Sequence, residues 1–135
     1  MSEGEHSIAN ATVTMGRTQY QVEIAAGHHR LAADEPKSAG GGDAGPSPFG
    51  LLLASLGSCT AITLRMYAER KQWPLETIGV QLSYRWENDA PVIERRLSLT
   101  GLDQTQRARC VEIAEKTPVT RALKRGIEIH TELSA

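Results

Sequence analysis

The feature that most constrains this chain is the segment SPFGLLLASLGSCTAITLRMYAERK, Ser47 to Lys71. Ser47 followed by Pro48 is a helix-start signal: a serine oxygen can accept a free N–H of the first turn, and proline suits the first helical position, where no N–H is needed. The pattern predicts one helix from Pro48 to Lys71. From Leu51 to Leu64 it is apolar or small nearly all round and asks for burial on every side, while Arg65, Glu69, Arg70 and Lys71 return the last turns to water. A chain of 135 residues, 40% hydrophobic, holds enough apolar material for one domain, residues 1–135, with one core. It can hardly enclose so long a helix alone, so a second copy is expected to supply the missing cover in a homodimer.

The rest of the chain surrounds that helix. After a polar, fraying start, ANATVTMG, TQYQVEIAA and HRLAAD read as three short strands joined by two hairpins, with breaks at Gly16 and Gly27. EPKSAGGGDAGPSP opposes both helix and strand, and is expected to be a long functional loop rather than an interdomain linker. Beyond WPLET, the alternating segments IGVQLSYRWE and VIERRLSLTG flank the turn NDAP as a third hairpin. A second helix in LDQTQRARCVEIAEK starts at Asp103, with Gln106 completing a capping box and Ala108, Val111 and Ala114 on one stripe. A short third helix starts at Thr117 and Pro118 and stops at Gly126, and IEIHTEL closes the chain as a strand. The order implies an α+β fold, a long central helix packed with antiparallel sheet.

A net charge of −1 and six aromatic residues give no electrostatic or stacking case for nucleic acid, and none for anionic lipid. MSEGEHSIAN lacks the charged and apolar regions of a signal peptide, and the longest apolar run reads as too short and too interrupted by Ser, Gly and Thr to span a bilayer. No membrane partner is expected, and a cytoplasmic location follows. There the two cysteines need explaining by packing, metal or redox chemistry rather than by a structural disulfide. Metal is not expected, because Cys59 and Cys110 lie far apart and His6, His28, His29 and His130 show no ligand spacing. No cofactor is implied.

Cys59 is the residue on which function turns. Its own helix N-terminus, roughly three turns away, is too distant to stabilise a thiolate, so a nucleophilic Cys59 needs a cation from elsewhere. Local sequence by itself favours plain packing, since free cysteine is among the most buried residue types. Ser55, Gly57 and Ser58 around it suit close approach of a helix or of a substrate equally well.

The segments GPSPFGLLLASLGSCTAITLRMYAERKQWPLE, IGVQLSY and IERRLSLTGLDQTQRARCVEIAEKTPVTRALKRGIEI resemble the OsmC/Ohr family of peroxide-related proteins over most of the chain. The resemblance implies the OsmC-like α+β fold, an intertwined homodimer with the long helices in its middle. It implies reduction of small organic hydroperoxides by thiols: Cys59 matches the attacking cysteine, and Arg17, in TMGRTQ, matches the thiolate-stabilising arginine of the first hairpin.

Two positions depart from that pattern. Where the family carries a glutamate just after the helix-opening proline, this chain has Phe49 and Gly50; where it carries the resolving cysteine, this chain has Thr117. Cys110, seven residues earlier and about two helical turns (on the order of 10 Å) away, is expected to be a core residue. The expectation is a one-cysteine peroxide reductase of the oxidative-stress response, in which an external thiol such as glutathione or a lipoyl group resolves the sulfenic acid. The alternative is a non-catalytic dimeric module binding an apolar small molecule in a remnant pocket, and the joint presence of Cys59 and Arg17 favours the enzyme.

Overall fold

A computed structural model describes residues 8–134. Residues 1–7, His6 among them, lie outside the described residues, and with them most of the start expected to fray. The chain divides into two compact units, the first ending at Leu52 and the second beginning at Leu53.

The first unit holds the three-stranded antiparallel sheet β1 (Ala11–Met15), β2 (Val22–Ala26) and β3 (His29–Ala33), in that spatial order. Register aligns Val13 with Ile24 and Ile24 with Leu31, so the apolar phases of the three strands share one face. Val13, Met15 and Leu31 on it stay 41–57% exposed. The loop after β3 folds around Asp34, only 3% exposed, whose carboxylate accepts from the N–H groups of Glu35 (2.7 Å), Gly42 (3.2 Å) and Ala44 (3.1 Å). These bonds hold the carboxyl below its ordinary range, the Ala44 N–H contributing most. Gly41 is required here because a Cβ would stand 2.0 Å from the Glu35 carbonyl oxygen. The loop delivers the chain to α1 (Pro48–Lys71), where Ser47 Oγ accepts from the Gly50 N–H at 3.1 Å.

The second unit contains the body of α1, the hairpin β4 (Ile78–Glu87) and β5 (Ala90–Leu99), and the helices α2 (Gln104–Ala114) and α3 (Pro118–Arg125). Asn88 and Asp89 both take positive φ, 51° and 63°, the signature of a two-residue type I′ turn. Gly57 lets α1 approach β4, for a Cβ there would meet Leu82 Cδ1 at 2.8 Å. Leu56, Gly57, Thr60, Leu64 and Ala68 are the buried residues of α1. Ile62 and Met66 remain 54% and 57% exposed, so this chain covers one side of the helix. Its 24 residues, with a mean hydropathy of 1.4 over the apolar window, are by length and composition enough to cross a membrane; the sequence reading of the run as too short is corrected.

Two further expectations are corrected. Asp103 and Gln106 do form a complete capping box on α2, but its buried residues are Cys110 and Ala114, while Ala108 is exposed and Val111 is 56% exposed. The stripe runs through i and i+4 from Cys110, one position off the phase read from Val111. Residues 127–133 form no strand. An edge needs a neighbour to hydrogen-bond, and none of the described residues provides one; Ile127, Ile129 and Leu133 are 65%, 82% and 96% exposed.

Candidate functional site

Cys59 and Cys110 are both free thiols, and their surroundings differ. Cys110 is fully buried, and desolvation pushes its thiol up, which suits a core residue and opposes a role as nucleophile. Cys59 is half-buried on α1. The N–H of Val119 donates to its Sγ at 3.5 Å, and Thr63 Oγ1 lies 4.0 Å from the same sulfur.

The Val119 contact follows from where α3 begins. Thr117 has extended N-cap geometry, Pro118 is the first helical residue, and Gly126 with φ of 87° ends the helix. Val119 is therefore the second residue of α3, and its N–H is one of those a helix leaves free in its first turn. That free donor is aimed at sulfur. The start of α3, rather than of α1, meets the thiol, and an N–H at the positive end of a helix stabilises negative charge on the atom it meets. Local sequence gave no sign of it, because the two residues stand 60 positions apart.

Thr117, which stands where the resemblance expects a second thiol, is fully buried. Its hydroxyl does not cap α3. It meets Thr120 Oγ1 at 2.6 Å and reaches the Ala114 carbonyl at 3.4 Å. Arg95 completes this cluster from β5. Register places Arg95 opposite Leu82, in the same phase as Ile93 and Leu97, so a charged residue occupies the apolar face of the hairpin. Its side chain is 11% exposed and pairs with Glu115. Lys124 above all, and Arg95 after it, hold the Glu115 carboxyl below its ordinary range. An arginine in the inward phase of VIERRLSL was the available sequence signal for this residue.

A cavity of about 560 Å³ opens beside this cluster, walled by Leu56, Tyr84, Ile93 and Leu123 with Arg95 and Lys124 at its polar side. Cys59 does not line it. Arg17, the other residue singled out from sequence, is exposed in the connection between β1 and β2. It belongs to the first unit and Cys59 to the second. Phe49 and Gly50 form the first turn of α1 and supply no carboxylate. Among the described residues, no three His, Cys, Asp or Glu side chains group to hold a metal ion.

A long helix on an antiparallel hairpin, its half-buried cysteine facing the start of α3, defines an α+β protein of the OsmC-like fold. Solved structures share it. The OsmC-like protein of Mycoplasma pneumoniae matches with a TM-score of 0.71 at 13% identity, covering 89% of each chain. The organic hydroperoxide resistance protein OsmC of Legionella pneumophila matches at 0.65 and 21% identity, over 87% of this chain and 90% of that one. The organic hydroperoxide resistance protein OhrB of Bacillus subtilis matches at 0.60 and 22%, over 87% and 91%. No curated protein matches the sequence. The sequence profile of the OsmC-like proteins matches residues 40–132, and this chain belongs to that family, whose members include organic hydroperoxide resistance proteins.

Proposed function

We propose that the protein reduces organic hydroperoxides through Cys59 alone, with an external thiol as reductant. The observation that carries this reading is the Val119 N–H at 3.5 Å from Cys59 Sγ, a donor aimed at the sulfur of the cysteine that matches the family's attacking residue. The thiolate attacks the distal peroxide oxygen, an S–O bond forms as the O–O bond breaks, and the alkoxide leaves as alcohol after taking a proton. A small thiol then displaces water from the sulfenic acid to give a mixed disulfide, and a second thiol releases Cys59 and leaves as the oxidised disulfide. Thr117 cannot resolve the sulfenic acid, and buried Cys110 is poorly suited to do so, hence the one-cysteine cycle.

Arg17 is the proposed cation of the site, brought there in a homodimer. What supports the dimer is apolar surface that one chain leaves open: Ile62 and Met66 on α1, Val13 and Met15 on β1, and the C-terminal segment from Ile127 to Leu133. Consumption of an organic hydroperoxide should require a small thiol, disappear in Cys59→Ser and persist in Cys110→Ser; activity retained by Cys59→Ser refutes the reading. Arg17→Ala should slow alkylation of Cys59 at neutral pH.

A second reading, a non-catalytic module for an apolar small molecule, is favoured by the 560 Å³ cavity that Cys59 does not line and by the missing glutamate at Phe49 and Gly50. A folded dimer that binds apolar ligands while its Cys59 stays inert to hydroperoxide would establish it.

A further inference from the structure

We infer that Arg95 is a positioning residue for Cys59, a clamp that sets where the first turn of α3 stands against the sulfur. Its role rests on the reading that Cys59 is the reactive thiol, although the geometry can be tested separately.

The four terminal N–H groups of its guanidinium are all committed. Nη1 donates to Thr60 Oγ1 at 3.0 Å and to Thr120 Oγ1 at 2.9 Å. Nη2 donates to the Ala114 carbonyl at 3.0 Å and to Glu115 Oε2 at 2.8 Å. Thr60 follows Cys59 directly, and Thr120 follows Val119 directly. One nitrogen thus ties the residue after the thiol to the residue after the donor N–H, and the rigid fork of arginine fixes the spacing of the two. The other nitrogen ties the end of α2 to the same point, so the turn between α2 and α3 cannot swing without breaking it.

The acceptors are themselves held. Thr60 Oγ1 donates to the Leu56 carbonyl at 2.7 Å, and Thr120 Oγ1 meets Thr117 Oγ1 at 2.6 Å and reaches the Ala114 carbonyl at 3.2 Å. Thr60 and Thr117 are 0% exposed, too dry for water to substitute for a lost partner, and Thr120 is 4% exposed. Glu115 balances the charge of Arg95 and is shared with Lys124 at 2.7 Å. Arg95 therefore acts through position, since all four N–H groups of its terminal nitrogens are already engaged.

The test uses Arg95→Met, Thr120→Val and Thr120→Ser in the full-length protein, with Cys59→Ala as reference. Cys59→Ala defines the amide resonance of Val119 without its sulfur contact. In Arg95→Met and Thr120→Val that resonance should move toward the Cys59→Ala position, and alkylation of Cys59 by a neutral electrophile should slow about tenfold, the scale of one lost charge-stabilising hydrogen bond. Thr120→Ser keeps the hydroxyl and should match the wild type in both. If Arg95→Met does not fold, the near-isosteric Thr120→Val carries the same two readouts. A Val119 resonance unmoved in folded Thr120→Val overturns the clamp. An inert wild-type Cys59 would instead count against the peroxide reading, and the resonance would still decide the clamp.

Discussion

Ile62 and Leu64 sit two residues apart on α1, about 200° around the helix, and mutating them separates the two sides of it. Leu64 is fully buried within one chain. Leu64→Ala should cost about 2–5 kcal/mol whatever the oligomeric state, as large-to-small core changes do. Ile62 is 54% exposed. On a free surface, Ile62→Glu should change stability by no more than ~0.5 kcal/mol. If a second copy covers it, the outcome differs. Full burial of such a side chain is worth about 1.5–3 kcal/mol, so covering the exposed half contributes ~0.8–1.6 kcal/mol per chain and about twice that per symmetric dimer. A glutamate left in that interface adds a desolvation penalty of several kcal/mol. Ile62→Glu should then dissociate the dimer at micromolar concentration, and its unfolding midpoint should lose the concentration dependence expected of the wild type. Sedimentation and denaturant melts at two protein concentrations measure both effects. An Ile62→Glu protein with wild-type sedimentation and midpoint would refute the claim that the open side of α1 is an interface.

Two further predictions concern the loop and the missing thiol. Asp34 has a carboxyl held below its ordinary range, so its contribution is present above the unfolded-state value and is lost as pH falls through the folded one; the protection of the Gly42 and Ala44 amides, taken against the unfolded-chain exchange rate at the same pH, should fall on acidification, and Asp34→Ala should show the low protection already at neutral pH, whereas equal protection in both proteins would contradict the loop's dependence on that carboxylate. Thr117→Cys should form a disulfide with Cys59 soon after stoichiometric peroxide, since α3 starts at the sulfur; a folded, Cys59-reactive variant that stays uncrosslinked in mass analysis would show that position 117 does not face the thiol.

The parts of the fold legible in sequence were those fixed by local chemistry. Ser47 and Pro48 marked the start of α1, Arg70 and Lys71 its end, and Asn88 with Asp89 the hairpin turn. Periodicity reported which surfaces need burial, but not what covers them, and so the segment from Ile127 to Leu133 read as a strand although it lacks a partner among the described residues. Short helices are harder to phase: Val111 and Cys110 differ by one position, and only packing decides which faces inward. Cys59 and Thr117 were legible as positions. The Val119 N–H and Arg95 depend on contacts across 60 and 35 residues, which no local pattern encodes; Arg95 was not singled out, and its place in the apolar phase of β5 was the one signal available for it.

The central claim is that Cys59 is the reacting thiol. Intact-mass and peptide analysis after brief treatment with one equivalent of an organic hydroperoxide, in the presence of a sulfenic-acid trap, tests it directly. The account predicts a single trapped adduct on the Cys59 peptide, replaced by a mixed disulfide when a small thiol is added first, with Cys110 unmodified. A Cys59 peptide that survives unchanged, or a prompt bond between Cys59 and Cys110, would contradict it.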